Sequence, residues 1–117
     1  MTGEWLRARC LGHPGTWEDF PFGEEPSVFK VGPKMFALSR LDGEPLAVSL
    51  KVSPEIGDDL RATYAAVAPG YHLNKRHWIT VTLDGSLPAA TVEALIEDSY
   101  DLVVDGLTRK ERERLPT

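Results

Sequence analysis

The chain contains little sulfur and no long apolar segment. Cys10 is the only cysteine among 117 residues, which excludes an internal disulfide and any metal centre built from several cysteines. No apolar run approaches the ~18 residues of a membrane span. Glu4 and Arg7 stand where a signal peptide would need its apolar segment. We therefore expect a protein of the cytoplasm that does not enter a membrane.

Positive charge is also scarce. The chain has 13 Lys and Arg against 18 Asp and Glu, a formal net charge of -5. Because neutralisation of phosphate by Lys and Arg supplies most nonspecific nucleic-acid affinity, this balance argues against a surface that attracts polyanions everywhere. The acids are unevenly spread, however, and none lies between Leu60 and Leu83. Any contact with nucleic acid is therefore expected to be local.

The composition indicates one soluble globular domain. Hydrophobic residues make up 42% of the chain and charged residues 26%, far from the profile of disorder. We expect a single domain over residues 1–117, present as a monomer. Thr108 and Glu111 have capping-box spacing, but the residues from about 107 onward are few and charged, so we expect a flexible tail.

The hydrophobic pattern predicts helices at both ends of an antiparallel meander. Thr2 is expected to cap a helix that ends near Leu11, with Gly12 as a left-handed stop. A second helix begins at Pro54 and ends near Ala66. A final helix follows Pro88 and carries an apolar stripe: Val92, Leu95, Ile96, Ser99, Val103 and Leu107. The strands are predicted at 28–31, 35–39, 46–52 and 77–83.

Strand alternation separates these strands into two faces. One face is apolar and should form the core: Phe29, Val31, Phe36, Leu38, Leu46, Val48, Leu50, Val52, Ile79, Val81 and Leu83. The other face is basic and free of acids: Val28, Lys30, Met35, Ala37, Ala47, Ser49, Lys51, Trp78, Thr80 and Thr82. An antiparallel sheet often leaves one face in water. That face is either a binding surface or an ordinary solvated one, with its threonines chosen for strand propensity.

The segment 69–78 concentrates aromatic, imidazole, amide and cationic groups beside this face. Such a mixture suits single-stranded nucleic acid, since aromatic rings stack on bases while cations contact phosphate. The alternative is structural, with Tyr71 and Trp78 packed on the core and Asn74 making a turn. The candidate residues for binding a ligand or nucleic acid are Lys30, Lys51, Tyr71, His72, Asn74, Lys75, Arg76, His77 and Trp78.

Catalysis and metal binding have no support in the sequence. His72 and His77 lack the spacing of a helical metal motif. Cys10 falls on the inward side of the first helix without an adjacent base, so it is expected to be a buried thiol rather than a nucleophile. No nucleophile elbow and no phosphate-binding glycine loop is found. We therefore expect no catalytic residue, no metal and no cofactor.

Several segments together resemble the MmcQ/YjbR family of small bacterial proteins. In chain order they are Pro14 to Phe22 (PGTWEDFPF), Val28 to Ala37 (VFKVGPKMFA), Val48 to Lys51 (VSLK), Pro69 to Trp78 (PGYHLNKRHW), Leu83 to Pro88 (LDGSLP) and Ser99 to Val104 (SYDLVV). The resemblance spans nearly the whole chain. Six segments in the right order are far more specific than any one of them.

The resemblance implies an α+β, two-layer sandwich in which helices pack on one face of a curved antiparallel sheet, of a frataxin-like or secretion-chaperone-like type. It also brings the label of a double-wing DNA-binding-like protein, and it brings no catalytic residues. The first hypothesis is therefore a non-enzymatic protein that binds DNA through the basic face and loop. The alternative is a module that binds a protein or a small anionic or aromatic ligand in a pocket on that face.

Overall fold

A six-stranded antiparallel sheet and four helices make up residues 1–116, which are the residues that the computed structural model describes. The order of strands across the sheet is β1–β2–β3–β4–β6–β5. In chain order the elements are α1 Gly3–Leu11, β1 Thr16–Asp19, β2 Ser27–Val31, β3 Lys34–Ser39, β4 Ala47–Lys51, α2 Pro54–Thr63, β5 Val67–Pro69, β6 Trp78–Thr82, α3 Ala89–Asp105 and α4 Arg109–Glu113. The predicted α+β class is confirmed.

The first helix begins as the sequence predicts and ends differently. Thr2 Oγ1 accepts a hydrogen bond from the Trp5 backbone N–H at 3.1 Å, which satisfies one of the free amides at the helix start. Gly12 has φ −76°, so the predicted left-handed stop is wrong and the helix ends in the right-handed region. None of the helices in residues 1–116 has both the length and the apolar content to cross a bilayer.

The strand β5 was missed by the sequence pattern. Helix α2 ends at Thr63 rather than near Ala66, and Val67 then pairs with Val81 of β6. The reason is that Val67 gains a place in the core as an edge-strand residue, where it is 5% exposed. Three residues are too few to show a period-2 alternation, so nothing in the sequence separated β5 from the helix.

The core lies between one face of the sheet and helices α1 and α3. Leu6 and Cys10 of α1 and six residues of α3 are buried there. On the sheet side the fully buried residues are Phe29, Val31, Phe36, Ala37, Val48, Leu50, Ile79 and Val81. The predicted apolar stripe of the last helix is confirmed, since Val92, Leu95, Ile96, Ser99, Val103 and Leu107 are all buried.

A β-bulge at Phe36 changes the phase of β3. Phe29 pairs with Ala37 but Lys30 pairs with Met35, so Phe36 is an extra residue on β3. Ala37 also pairs with Leu50 and lies in the core. The expected alternation, with Leu38 inside and Ala37 outside, is therefore wrong, because it assumed a strand without a bulge.

Helix α3 is hydrogen-bonded to the sheet at the point where the direct pairing of β3 with β4 ends. The pairs Leu38–Ser49 and Ala37–Leu50 join β3 to β4. At the next step the Ser99 hydroxyl lies between the strands, accepting from the Lys51 N–H at 2.8 Å and donating to the Phe36 carbonyl oxygen at 2.6 Å. A helix side chain thus bridges two backbone groups beyond the last direct pair.

Beyond α3 the chain forms the short helix α4. Thr108 and Glu111 make both hydrogen bonds of the predicted capping box. Leu115, which follows α4, packs against the core. The expected flexibility of this tail stays a prediction.

Candidate ligand-binding cleft

The sheet face opposite the helices has a continuous row of register partners. Val28 pairs with Leu38, Leu38 with Ser49, and Ser49 with Thr80. Partners in such a row share one face of the sheet. The predicted outward positions of β4 and β6 are confirmed by this register, since their alternate residues Val48, Leu50, Ile79 and Val81 are the ones that face the core.

A cleft of about 860 Å³ lies over this face, within the size range of small-molecule sites. Its floor is formed by Leu38, Ala47, Ser49 and Thr80. Three loops form the walls: the β1–β2 loop, the β3–β4 loop and the β5–β6 loop. The remaining lining residues are Phe22, Pro26, Ser39, Arg40, Asp42, Gly43, Glu44, Pro45, Tyr71, His72 and Leu73.

The β5–β6 wall is held in place by backbone hydrogen bonds. The Gly70 N–H donates to the Trp78 carbonyl oxygen at 2.9 Å, and a Cβ on Gly70 would lie 2.6 Å from the Trp78 Cβ. Only glycine fits this approach without a shift of the chain. The Tyr71 N–H then donates to Thr80 Oγ1 at 3.0 Å. The wall is therefore tied to the floor.

Two aromatic rings stand at the rim of the cleft. They belong to Tyr71, which is 69% exposed, and Phe22, which is 68% exposed. The Tyr71 ring lies 4.0 Å from the His72 ring, centroid to centroid. His72 adopts φ +58°, a left-handed conformation that is uncommon outside glycine. Both rings are available to a ligand without any unfolding of the core.

The floor of the cleft contains two hydroxyl groups in contact. Ser49 Oγ and Thr80 Oγ1 lie 2.8 Å apart and share one hydrogen bond. Thr80 Oγ1 also accepts from Tyr71, so it can donate its own proton to Ser49. In that arrangement the Ser49 hydroxyl proton is free to point to a ligand.

Charged groups of the cleft cluster on the β3–β4 side. Arg40 forms an ion pair with Glu25 at 2.7 Å. Asp42 and Glu44 line the same part of the cleft, and neither forms an ion pair with another residue among 1–116. The carboxylates that remain after the Arg40–Glu25 pair make the lining negative.

Two of the nine predicted site residues line the cleft, namely Tyr71 and His72. Lys51 and Trp78 are register partners on the same face, but they lie toward the opposite end of the strands. They stand two residues from Ser49 and Thr80, a distance of roughly 7 Å along a strand. The structure thus divides the predicted site into two areas.

Lys30 lies on the same face of the sheet, in β2, and is already paired. Its Nζ donates to Asp19 Oδ2 at 2.8 Å and lies 5.2 Å from the centroid of the Trp17 ring. The hydrogen bond from Lys30 holds the pKa of the Asp19 carboxyl below its usual value. Because β1 brings Asp19 to this face, the prediction of an acid-free face is wrong. The predicted strands did not include β1 on that face.

The remaining predicted residues lie in the β5–β6 loop. Asn74 Oδ1 accepts from the backbone N–H groups of Arg76 at 2.9 Å and His77 at 3.3 Å, so Asn74 makes the turn that was its structural alternative. Lys75 Nζ donates to the Gly70 carbonyl oxygen at 3.2 Å. Arg76 and His77 are exposed. Two of these four side chains therefore stabilise the loop itself.

The β1–β2 wall and the apolar floor were missed by sequence reasoning. Phe22 was not among the predicted site residues, and Leu38 was assigned to the core. An exposed aromatic cluster next to a proline was the available signal for the wall. Nothing in the sequence marked Leu38, because its position depends on the bulge.

Cys10 does not line the cleft. Cys10 is fully buried, and burial, with a smaller effect of Glu18, raises the pKa of its thiol to about 12. It is the buried thiol that the sequence predicts.

Among residues 1–116 no three His, Cys, Asp or Glu side chains come together in an arrangement that would hold a metal ion.

Comparison with known proteins gives one consistent result. The family model described as YjbR matches residues 11–102. YbdF of Escherichia coli is 42% identical over 97 residues, 82% of this chain and 79% of the relative. YjbR of Escherichia coli is 37% identical over 115 residues, 98% of each chain.

Solved structures agree in fold. A crystal structure of a Deinococcus radiodurans protein with a DUF419 domain superimposes with a TM-score of 0.89 and 47% identity, over 96% of this chain and 86% of that one. A crystal structure from Pseudomonas syringae gives a TM-score of 0.70 and 33% identity, over 85% and 95%. The resemblance found in the sequence is thus confirmed, and this chain belongs to the YjbR family.

Proposed function

We propose that this protein is a binding module whose cleft takes a small molecule with an apolar or aromatic body. The observation that carries the proposal is the cleft itself, about 860 Å³ over the sheet face that the helices do not cover. Sites for small molecules are concave and mostly apolar, with a few polar groups that orient the ligand. Leu38 and Ala47 provide the apolar floor, and the Ser49 and Thr80 hydroxyls provide the polar groups.

The two rim aromatics support an aromatic ligand. Phe22 and Tyr71 expose more than two thirds of their surface, and they come from loops on different sides of the cleft. Large exposed apolar side chains that gather at a concave site are typical of ligand grooves and interaction surfaces. A planar ligand that covered them would remove their apolar area from water, at a gain of roughly 25 cal/mol per Å².

Binding rather than catalysis is proposed because the hydroxyls of the floor have no base beside them. A serine or threonine nucleophile needs an adjacent general base within hydrogen-bond reach. In residues 1–116, Ser49 Oγ and Thr80 Oγ1 bond to each other and to the Tyr71 amide, not to an imidazole or a carboxylate.

The test is a screen of small aromatic compounds, neutral, cationic and anionic, read by backbone amide chemical shifts. Binding should move the amides of Ala47, Ser49 and Tyr71. The variant Ala47→Phe fills the floor and should weaken binding at least tenfold. Ala68→Phe is the matched control, since Ala68 pairs with Thr80 on the same face but does not line the cleft. If no compound moves the cleft amides, the proposal is wrong.

A second candidate, DNA binding, is favoured by the other area of the same face. Lys51 pairs in register with Trp78, which directly follows the exposed Arg76 and His77. Within residues 1–116, neither Lys51 nor Arg76 is engaged in an ion pair. Proteins that bind single-stranded DNA combine cations, which contact phosphate, with aromatic rings, which stack on bases. The net charge of -5 and the engaged Lys30 place this candidate second.

DNA binding is tested by titrating single- and double-stranded oligonucleotides at several salt concentrations. Lys51→Ala with Arg76→Ala should weaken binding and reduce the slope of log K against log salt by roughly 1.4 to 1.8. Lys110→Ala, on α4, is the control that should leave binding unchanged. Absence of binding at low salt would eliminate this candidate.

A further inference from the structure

We infer that the cleft selects an organic cation, that is, an aromatic or apolar body that carries an amine or quaternary ammonium group. The inference rests on the proposed function and adds the sign of the charge on the ligand. It departs from the anionic ligand that the basic loop suggested in the sequence. The reason is that the cations of the predicted site do not line the cleft, whereas Asp42 and Glu44, which form no ion pair within residues 1–116, do.

The charges of the lining decide the sign. Arg40 contributes a guanidinium group to the lining, and this group forms an ion pair with Glu25 at 2.7 Å. An anionic ligand would have to compete with Glu25 for Arg40 and would also meet Asp42 and Glu44. A cationic ligand meets these two carboxylates without breaking any ion pair among residues 1–116. The net charge of the whole chain, -5, acts in the same direction.

The two aromatic rings at the rim, like the carboxylates, favour a cationic ligand. A cation over the face of a phenyl or phenol ring is attracted by the quadrupole of the ring, and the exposed rings of Phe22 and Tyr71 are free to receive one. The apolar body of the ligand would lie on Leu38 and Ala47, and the cation would lie toward the β3–β4 loop. Carboxylates and rings together distinguish such a ligand from a neutral one of the same shape.

A matched series of three ligands tests the inference: 1-naphthylmethylamine, 1-naphthylmethanol and 1-naphthoic acid. They share one ring system and differ in charge. Affinities are measured by isothermal titration at pH 7 and low salt, with the amide shifts of Ala47 and Ser49 as the check on location. The amine should bind about three- to tenfold more tightly than the alcohol, the factor expected for one or two partly solvated charge contacts. The acid should bind most weakly.

Charge-neutral variants locate the preference. Asp42→Asn with Glu44→Gln should bring the affinity for the amine close to that for the alcohol and leave the alcohol unchanged. Asp98→Asn, on the exposed side of α3, removes a similar charge far from the cleft and should change neither. Raising the salt concentration should reduce the amine preference, because exposed charge contacts are screened.

The outcomes separate the two proposals. If the alcohol or the acid binds the cleft as tightly as the amine, the inference of a cationic ligand is wrong and the cleft remains a binding site. If the amine preference survives in the double variant, the carboxylates do not cause it and the inference is again wrong. If none of the three compounds and none of the wider screen moves the cleft amides, the proposed function itself is wrong.

Discussion

The hydroxyl of Ser99 donates to the carbonyl oxygen of Phe36 at 2.6 Å, from the centre of α3 to the bulge of β3. Ser99 is fully buried, so neither group has water as an alternative partner. Ser99 Oγ also accepts from the Lys51 N–H at 2.8 Å. One side chain therefore satisfies a backbone donor and a backbone acceptor that the β3–β4 ladder leaves apart.

Replacing Ser99 with alanine should lower the free energy of unfolding by about 2–4 kcal/mol, because it leaves two buried backbone groups without partners. The measurement is urea denaturation at pH 7. Ser53→Ala is the control: Ser53 occupies the N-cap position of α2 but makes no capping hydrogen bond with its side chain, so its loss should cost less than about 0.5 kcal/mol. A Ser99→Ala cost as small as this would contradict the bridging role.

Replacing Thr80 with valine should loosen the wall of the cleft. The substitution keeps the shape of the side chain and removes the acceptor for the Tyr71 N–H. We expect faster hydrogen exchange at the Tyr71 amide and a stability loss of about 0.5–1.5 kcal/mol. Thr82→Val is the matched control on the same strand and face. Unchanged protection of the Tyr71 amide in Thr80→Val would show that the wall is held by other contacts.

The Cys10 thiol should make stability fall at high pH. Its pKa is about 12 in the folded protein against an ordinary value of 9.0, so the folded state resists ionisation that the unfolded chain undergoes. The free energy of unfolding is unaffected by this thiol below pH 9. Between pH 9 and 12 it falls by up to ~1.4 kcal/mol per pH unit, because only the unfolded chain loses the thiol proton. Cys10→Ala should have a shallower decline over this interval. Equal declines in the two proteins would contradict the prediction.

The ion pair of Asp19 and Lys30 should be visible in a titration. Since the hydrogen bond from Lys30 lowers the pKa of Asp19, Lys30→Met should raise that pKa toward its ordinary value. The pair contributes stability at neutral pH and loses it as the pH falls through the folded pKa of Asp19. Carbon-detected NMR of the carboxyl group gives the value. Asp84, whose pKa is lowered by hydrogen bonds from Ser86, should not change in the variant.

Most of the fold was predictable because its long elements have clear periods. The stripe of α3 and the alternation of β4 and β6 hold over enough residues to fix which side is buried. The phase of β3 was not predictable, since the bulge at Phe36 follows from how β2, β4 and Ser99 pack around it. Tertiary contacts of this kind leave no local signal.

The candidate site was predictable only in part, for a related reason. Tyr71 and His72 stand out in the sequence because exposed aromatic and imidazole groups cluster in their loop. Leu38 does not stand out, because a leucine in a strand is normally a core residue. Asp19 is 11 residues from Lys30 in the chain, and only the β1–β2 pairing brings the two together.

The bulge at Phe36 makes the floor of the cleft independent of one residue in the length of β3. Loss of the extra residue would leave Phe29 opposite Ala37 and Val28 opposite Leu38, so the apolar floor at Leu38 would be unchanged. The effect would fall on the other face of the sheet, where the Phe36 side chain is buried in the core and its carbonyl oxygen accepts from Ser99. A related chain without the bulge can therefore keep the same cleft, whereas its core and the attachment of α3 must change.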